Sequence, residues 1–89
     1  MSHAHHPSSH PDIIKRLKRA AGHLQHVIAM LEQDRPCLDT ATQLLAVERG
    51  IIAAKRTLIH NHMDHCLGTA EDGAGPHDLE EIKALAKLL

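Results

Sequence analysis

Apolar residues recur along this chain at the three-to-four-residue spacing of amphipathic helices, and two interruptions divide the pattern into three. The first run opens at Asp12, which can cap a helix. It carries Ile13/Ile14, Leu17, Ala20/Ala21, Leu24, Val27/Ile28 and Leu31 on one side. Lys15, Arg16, Lys18, Arg19, His23 and His26 occupy the other side. Asp34-Arg35-Pro36 then ends it, since Pro36 is tolerated only in the first turn of a new helix. The second run has apolar positions at Leu38, Ala41, Leu44/Leu45, Ile51/Ile52, Leu58/Ile59 and Met63, and Gly68 is a natural stop. Its thirty-odd residues make a rod of roughly 45–50 Å. Gly50 sits in the middle. It either kinks the helix, at about 1 kcal/mol relative to Ala, or, with Ala46, Ala53 and Ala54, lets two helices cross closely; the crossing is expected. GTAEDGAG (Gly68–Gly75) reads as a loop. Pro76 opens a third helix to Leu89, with Asp78, Glu80 and Glu81 early and Lys83 and Lys87 late, in the order that complements the helix dipole. The expected class is all-α, with helices at about 12–33, 36–67 and 76–89.

Composition narrows this. Eighty-nine residues make one small domain, expected at 12–89 behind a flexible arm, 1–11. There is no Phe, Tyr or Trp, yet 43% of residues are hydrophobic. An aliphatic core of this kind suits helix-on-helix packing and favours sharing the core between chains. No apolar run approaches the ~20 residues of a membrane span, and no secretory segment is visible. Two cysteines without an export signal favour a reducing compartment, so the expected location is the cytoplasm.

The candidate chemistry lies in cysteine and histidine. Ten residues are histidine, four of them (His3, His5, His6 and His10) in the head of the chain, which is either a solvated tail or a mobile metal-ligand arm. His62 and Cys66 stand i,i+4, one turn apart on one helix face, where an imidazole and a thiolate can hold a thiophilic metal. Cys37 is the other thiol. It lies on the same face as His62 to within about 20°, but roughly 37 Å away along a continuous helix. Metal–ligand bonds are only ~2.0–2.3 Å long. Either the chain folds back near Gly50, or two antiparallel copies bring Cys37 of one to His62 and Cys66 of the other. The second arrangement is expected: a two-fold dimer with two equivalent sites.

Three stretches carry a resemblance: RLKRAAGHL (Arg16–Leu24), MLEQDRPC (Met30–Cys37) and LIHNHMDHC (Leu58–Cys66), followed by LEEI (Leu79–Ile82). With them the chain resembles the copper-sensitive-operon repressor/nickel–cobalt repressor (CsoR/RcnR) family over essentially Ile13 to Leu89. The resemblance implies an antiparallel dimer forming a four-helix bundle, paired into a tetramer. It also implies a function: operator DNA is held by the metal-free protein and released on metal binding, which derepresses metal-efflux genes. Cys37, His62 and Cys66 match the family's primary ligands. His3 matches the histidine added in the nickel/cobalt branch, and Glu81 falls at the outer-shell carboxylate. Arg16, Lys55 and Arg56 fall on the DNA-contacting surface, which Lys15, Lys18 and Arg19 could extend. Pro36 stands where copper sensors commonly have Tyr. With the histidine-rich head, this favours Ni(II) or Co(II) as the sensed ligand; Cu(I), which suits two thiolates and one imidazole, is the alternative.

A formal net charge of −1 gives no argument for nucleic acid, but its distribution does. Ile13–Leu31 holds four basic residues and no acid, whereas Asp64–Glu81 holds six acids and no Lys or Arg. Phosphate contacts from such a basic face are salt-dependent. A metal buffer would need the ligands but not the basic faces. A formaldehyde sensor fits the amino terminus poorly, and a persulfide sensor would lack His62. No acid–base pair or activated nucleophile stands apart from the ligands, so an enzyme, and with it a small-molecule substrate, is not expected.

Overall fold

A computed structural model describes residues 10–68 and 76–89, with side chains for 10–65 and 79–89. It contains three helices: α1 (His10–Glu32), α2 (Cys37–Gly68) and α3 (Pro76–Ala86). No strand occurs among the described residues.

α1 starts two residues before the expected cap. Pro11 fits the first helical turn, where its missing N–H needs no partner. Asp12 therefore lies inside that turn and pairs with Arg16 one turn on (Nε to Oδ2, 3.2 Å) instead of capping. The other end closes with a double clasp. Arg35 N–H donates to Met30 O at 3.0 Å and Asp34 N–H to Leu31 O at 3.1 Å, with Asp34 in the left-handed region at φ 54°. That pair of bonds satisfies carbonyls the helix end would otherwise strand. Pro36 then supplies the carbonyl that Thr40 N–H reaches at 3.1 Å, so α2 begins at Cys37.

α2 passes through Gly50 without a break. The expected close crossing is not present within the chain, because a Cβ built on Gly50 would meet nothing within 4 Å. α3 ends at Ala86, short of the expected Leu89. Leu88 and Leu89 close tighter i+3 turns onto Leu85 and Ala86, the bonding that commonly satisfies the carbonyls of a helix's last turn.

α1 and α2 pack as an antiparallel hairpin on Ile13, Ala20, Val27 and Met30 from α1 and Thr40, Val47 and Ala54 from α2, all buried. The Thr40 hydroxyl is satisfied by Pro36 O at 3.2 Å. α3 lies against the far end of α2, near buried Ile59. The protein is 13 Å in its thinnest dimension, one layer of helices. Leu17, Leu24, Ile28, Leu44 and Ile51 are exposed on that layer, with Leu31 at 61% and Leu38 at 78%. Each forgoes on the order of 1 kcal/mol of burial. A stable domain needs a second layer to cover such a face.

Candidate metal centre

The continuity of α2 decides the ligand geometry. Cys37 is its first residue, and His62 and Cys66 lie in its last two turns. At 1.5 Å per residue Cys37 and His62 are roughly 37 Å apart, so folding back is excluded and one chain cannot bring them to one ion. At 100° per residue the three nevertheless fall within about 40° of one another around α2. Leu44 (47% exposed) and Ile51 (45%) run along the same side between them.

Each end of α2 is a half-site. Cys37 is an exposed free thiol beside a shallow hollow lined by Leu31, Arg35, Ala41 and Leu44. At the other end His62 Nε2 donates to Glu81 Oε1 at 3.1 Å, across from α2 to α3, beside a hollow lined by Leu58, Ile59 and Leu85. A neutral imidazole that donates from Nε2 carries its ring lone pair on Nδ1. Glu81, expected as an outer-shell carboxylate, is thus within hydrogen-bond reach of His62. The i,i+4 backbone spacing places Cys66 one turn beyond His62; its side chain lies outside the described residues, as does all of His3. Among the described residues no three of His, Cys, Asp and Glu converge to hold a metal. The donor set fits a thiophilic ion when the two ends come from two chains.

The basic residues divide between helices. Lys15, Arg16, Lys18 and Arg19 are exposed on α1, and Lys55 and Arg56 on α2. Arg56 stands about 180° round α2 from Val47 and Ala54, which face α1. One chain therefore does not gather the six into a single patch. Two contacts went unread in the sequence. The Asp12–Arg16 pair was signalled by its i,i+4 spacing. The 2.7 Å bond from His23 Nε2 to Gln43 Oε1, joining α1 to α2, had no local signal, because it depends on the hairpin register.

Comparison with known proteins places the fold and the family. The chain resembles the solved structure of the nickel-responsive transcriptional regulator InrS with a TM-score of 0.82, at 28% identity, over 96% of this chain and 97% of that one. The copper-sensing transcriptional repressor CsoR of Mycobacterium ulcerans (strain Agy99) is 41% identical over 70 residues, covering 78% of this chain and 60% of its own length. The protein of the same name in Bacillus subtilis (strain 168) is 32% identical over 71 residues, 79% of this chain and 70% of its own length. The chain thus spans about 60% of the length of the mycobacterial relative. The family described as metal-sensitive transcriptional repressors matches residues 9–89. By that match and those identities, the chain belongs to the metal-sensitive transcriptional repressor family.

Proposed function

We propose that the protein is a cytoplasmic, metal-responsive repressor that binds operator DNA when metal-free and releases it when Cu(I) bridges two antiparallel copies. The observation that carries this reading is the unbroken α2, with Cys37 and His62 on one face at opposite ends. A second α2 laid antiparallel pairs each Cys37 with a partner's His62 and Cys66. It also covers Leu44 and Ile51, and so supplies the missing layer of a four-helix bundle. Two such dimers would form the tetramer, multiplying the separated basic faces of α1 and α2.

The choice of Cu(I) departs from the nickel or cobalt preference drawn from the sequence. It is supported by the copper-sensing names of the curated relatives and by the donor set of two thiolates and one imidazole. The likeness to the nickel-responsive InrS favours the second reading, Ni(II) or Co(II) with His3 as an added ligand. Bound between two chains, the ion supplies bonds that tie the ends of their long helices together. His62 is oriented for that by Glu81, and the same bond couples the site to α3. If metal binding and DNA binding favour different positions of α3, each lowers the affinity for the other by the same factor.

Anaerobic titration with Cu(I), Ni(II) and Co(II), following metal absorption and DNA release together, tests the proposal. Release by Cu(I) at one equivalent per chain is expected. Release by Ni(II) or Co(II) alone, with absorption bands that vanish in His3→Ala, establishes the second reading. DNA affinity indifferent to all three overturns both.

A further inference from the structure

The face of α2 that carries Cys37 and His62 is not purely apolar. Glu48 and Lys55 lie between the two ends of the helix, both exposed. At 100° per residue they stand within about 20° of Cys37, at the centre of that face. Leu44, Ile51 and Leu58 run along one flank; Leu38, Leu45 and Ile52 run along the other. One charge of each sign therefore lies on the midline of the surface that a second copy has to cover. The two cannot meet within one chain, because seven residues of helix hold them roughly 10 Å apart. Among the described residues neither makes an ion pair.

Each flank repeats every seven residues, and such a repeat does not by itself fix a register. Two antiparallel helices slid by seven residues again set leucine and isoleucine against leucine and isoleucine. The midline charges break the tie. Let Cys37 lie level with the turn between His62 and Cys66 of a second copy. Glu48 is then two residues, roughly 3 Å along the axis, from that copy's Lys55, and symmetry repeats the pair. Sliding by seven residues one way brings Glu48 equally close to the second Glu48; sliding the other way does the same for Lys55. A parallel pair in register also sets each charge against its own kind. Of these arrangements, only the one that aligns the ligands brings opposite charges together.

We propose that Glu48 and Lys55 form two reciprocal ion pairs across the α2–α2 seam, one on each side of the dyad. They select a second copy of this chain, antiparallel and in the register that builds both metal sites. The inference rests on the antiparallel pairing proposed above, and it takes Lys55 out of the set expected to contact DNA. Two charges taken out of water gain little net stability from each other. Their effect lies in the competing registers, which would hold like charges together away from water.

The test uses the metal-free full chain, with association measured by sedimentation and metal stoichiometry by titration with Cu(I). Glu48→Lys and Lys55→Glu each turn both pairs repulsive. Each should raise the dissociation constant of its own dimer about a hundredfold, roughly tenfold for each pair. Helicity should be unchanged, because both side chains are exposed in a single chain. Mixed in equal amounts, the two variants should bind each other as tightly as unmodified chains do, since every seam contact again joins opposite charges. The double exchange, Glu48→Lys with Lys55→Glu, should form a homodimer that binds two metal ions. Lys87→Glu, the same change of charge on the turn after α3, should leave association unaltered; an effect as large as that of Lys55→Glu would reduce both to net charge and overturn the pairing. Single variants that associate normally, or a mixture no tighter than either variant alone, overturn the ion pairs and leave the shared metal site standing. Should a single variant fold poorly, the double exchange decides: it restores every contact, so its failure to dimerise overturns the pairing. A monomeric unmodified chain that still binds metal tightly removes the shared-site reading, and the ion pairs with it.

Discussion

His62 on α2 and Glu81 on α3 are joined by a 3.1 Å hydrogen bond that links the two helices. It ties the proposed ligand His62 to an element that otherwise rests on a small apolar patch around Ile59 and Leu85. Glu81→Ala should therefore lower metal affinity by about 10–100-fold. It should also raise amide exchange in α3 while leaving metal-free DNA binding in place. Competition titration and hydrogen exchange read the two effects; unchanged metal affinity would remove Glu81 from the site.

Mixed dimers separate intersubunit from intrasubunit coordination. A Cys37→Ala subunit paired with one carrying His62→Ala and Cys66→Ala should bind one metal per dimer, against two in the unmodified protein. Each homodimer of the altered chains should bind none tightly. Metal stoichiometry after subunit exchange is the measurement, and a mixed dimer without any site sinks the shared-site reading.

Leu44 and Ile51 offer an independent test of the second layer. Both are exposed in a single chain, so Leu44→Glu or Ile51→Glu should cost a lone hairpin little. In an antiparallel pair each buries an unpaired charge, and sedimentation should show dissociation together with loss of tight metal binding. An undiminished oligomer would place the interface elsewhere.

Asp34 holds a left-handed conformation at φ 54° that an L side chain adopts at a cost. Glycine adopts it freely, so Asp34→Gly should stabilise the α1–α2 turn by about 1 kcal/mol, observed as a rise in Tm with metal affinity unaltered.

In the proposed DNA complex Asp12 competes with phosphate for Arg16. The pair is solvent-exposed, so Asp12→Asn should change stability by less than about 0.5 kcal/mol. Removing that carboxylate should strengthen DNA binding modestly and uniformly across sequences, checked by anisotropy on specific and nonspecific duplexes.

The three helices were legible because each signal was local: apolar period, Pro36, Gly68 and Pro76. The errors were also local in origin. Pro11 suggested a boundary, although its ring fits a first turn and lets α1 begin at His10. Gly50 suggested a close helix crossing, which the chain does not make within itself; there the glycine lines a cleft on the flank away from the Cys37 and His62 face. The distance constraint on Cys37 and His62 was readable from helix rise alone. The His23–Gln43 bond was not, because α1–α2 register is set by packing of Ala20, Val27, Val47 and Ala54, whose pairing no local pattern encodes. The choice of metal was not readable either. In the proposed assembly it turns on donors from more than one chain, and the sequence offers both His3 and Cys66 without a geometry to rank them.

The uninterrupted α2 behaves as a ruler. A single residue inserted at its midpoint would turn His62 by about 100° relative to Cys37 and misalign both sites of a symmetric pair at once. Seven inserted residues would restore the face to within about 20° and push the sites apart by roughly 10 Å. In the proposed antiparallel pair the spacing between the two sites would thus change only in steps of whole helical turns, adjustable without changing a ligand.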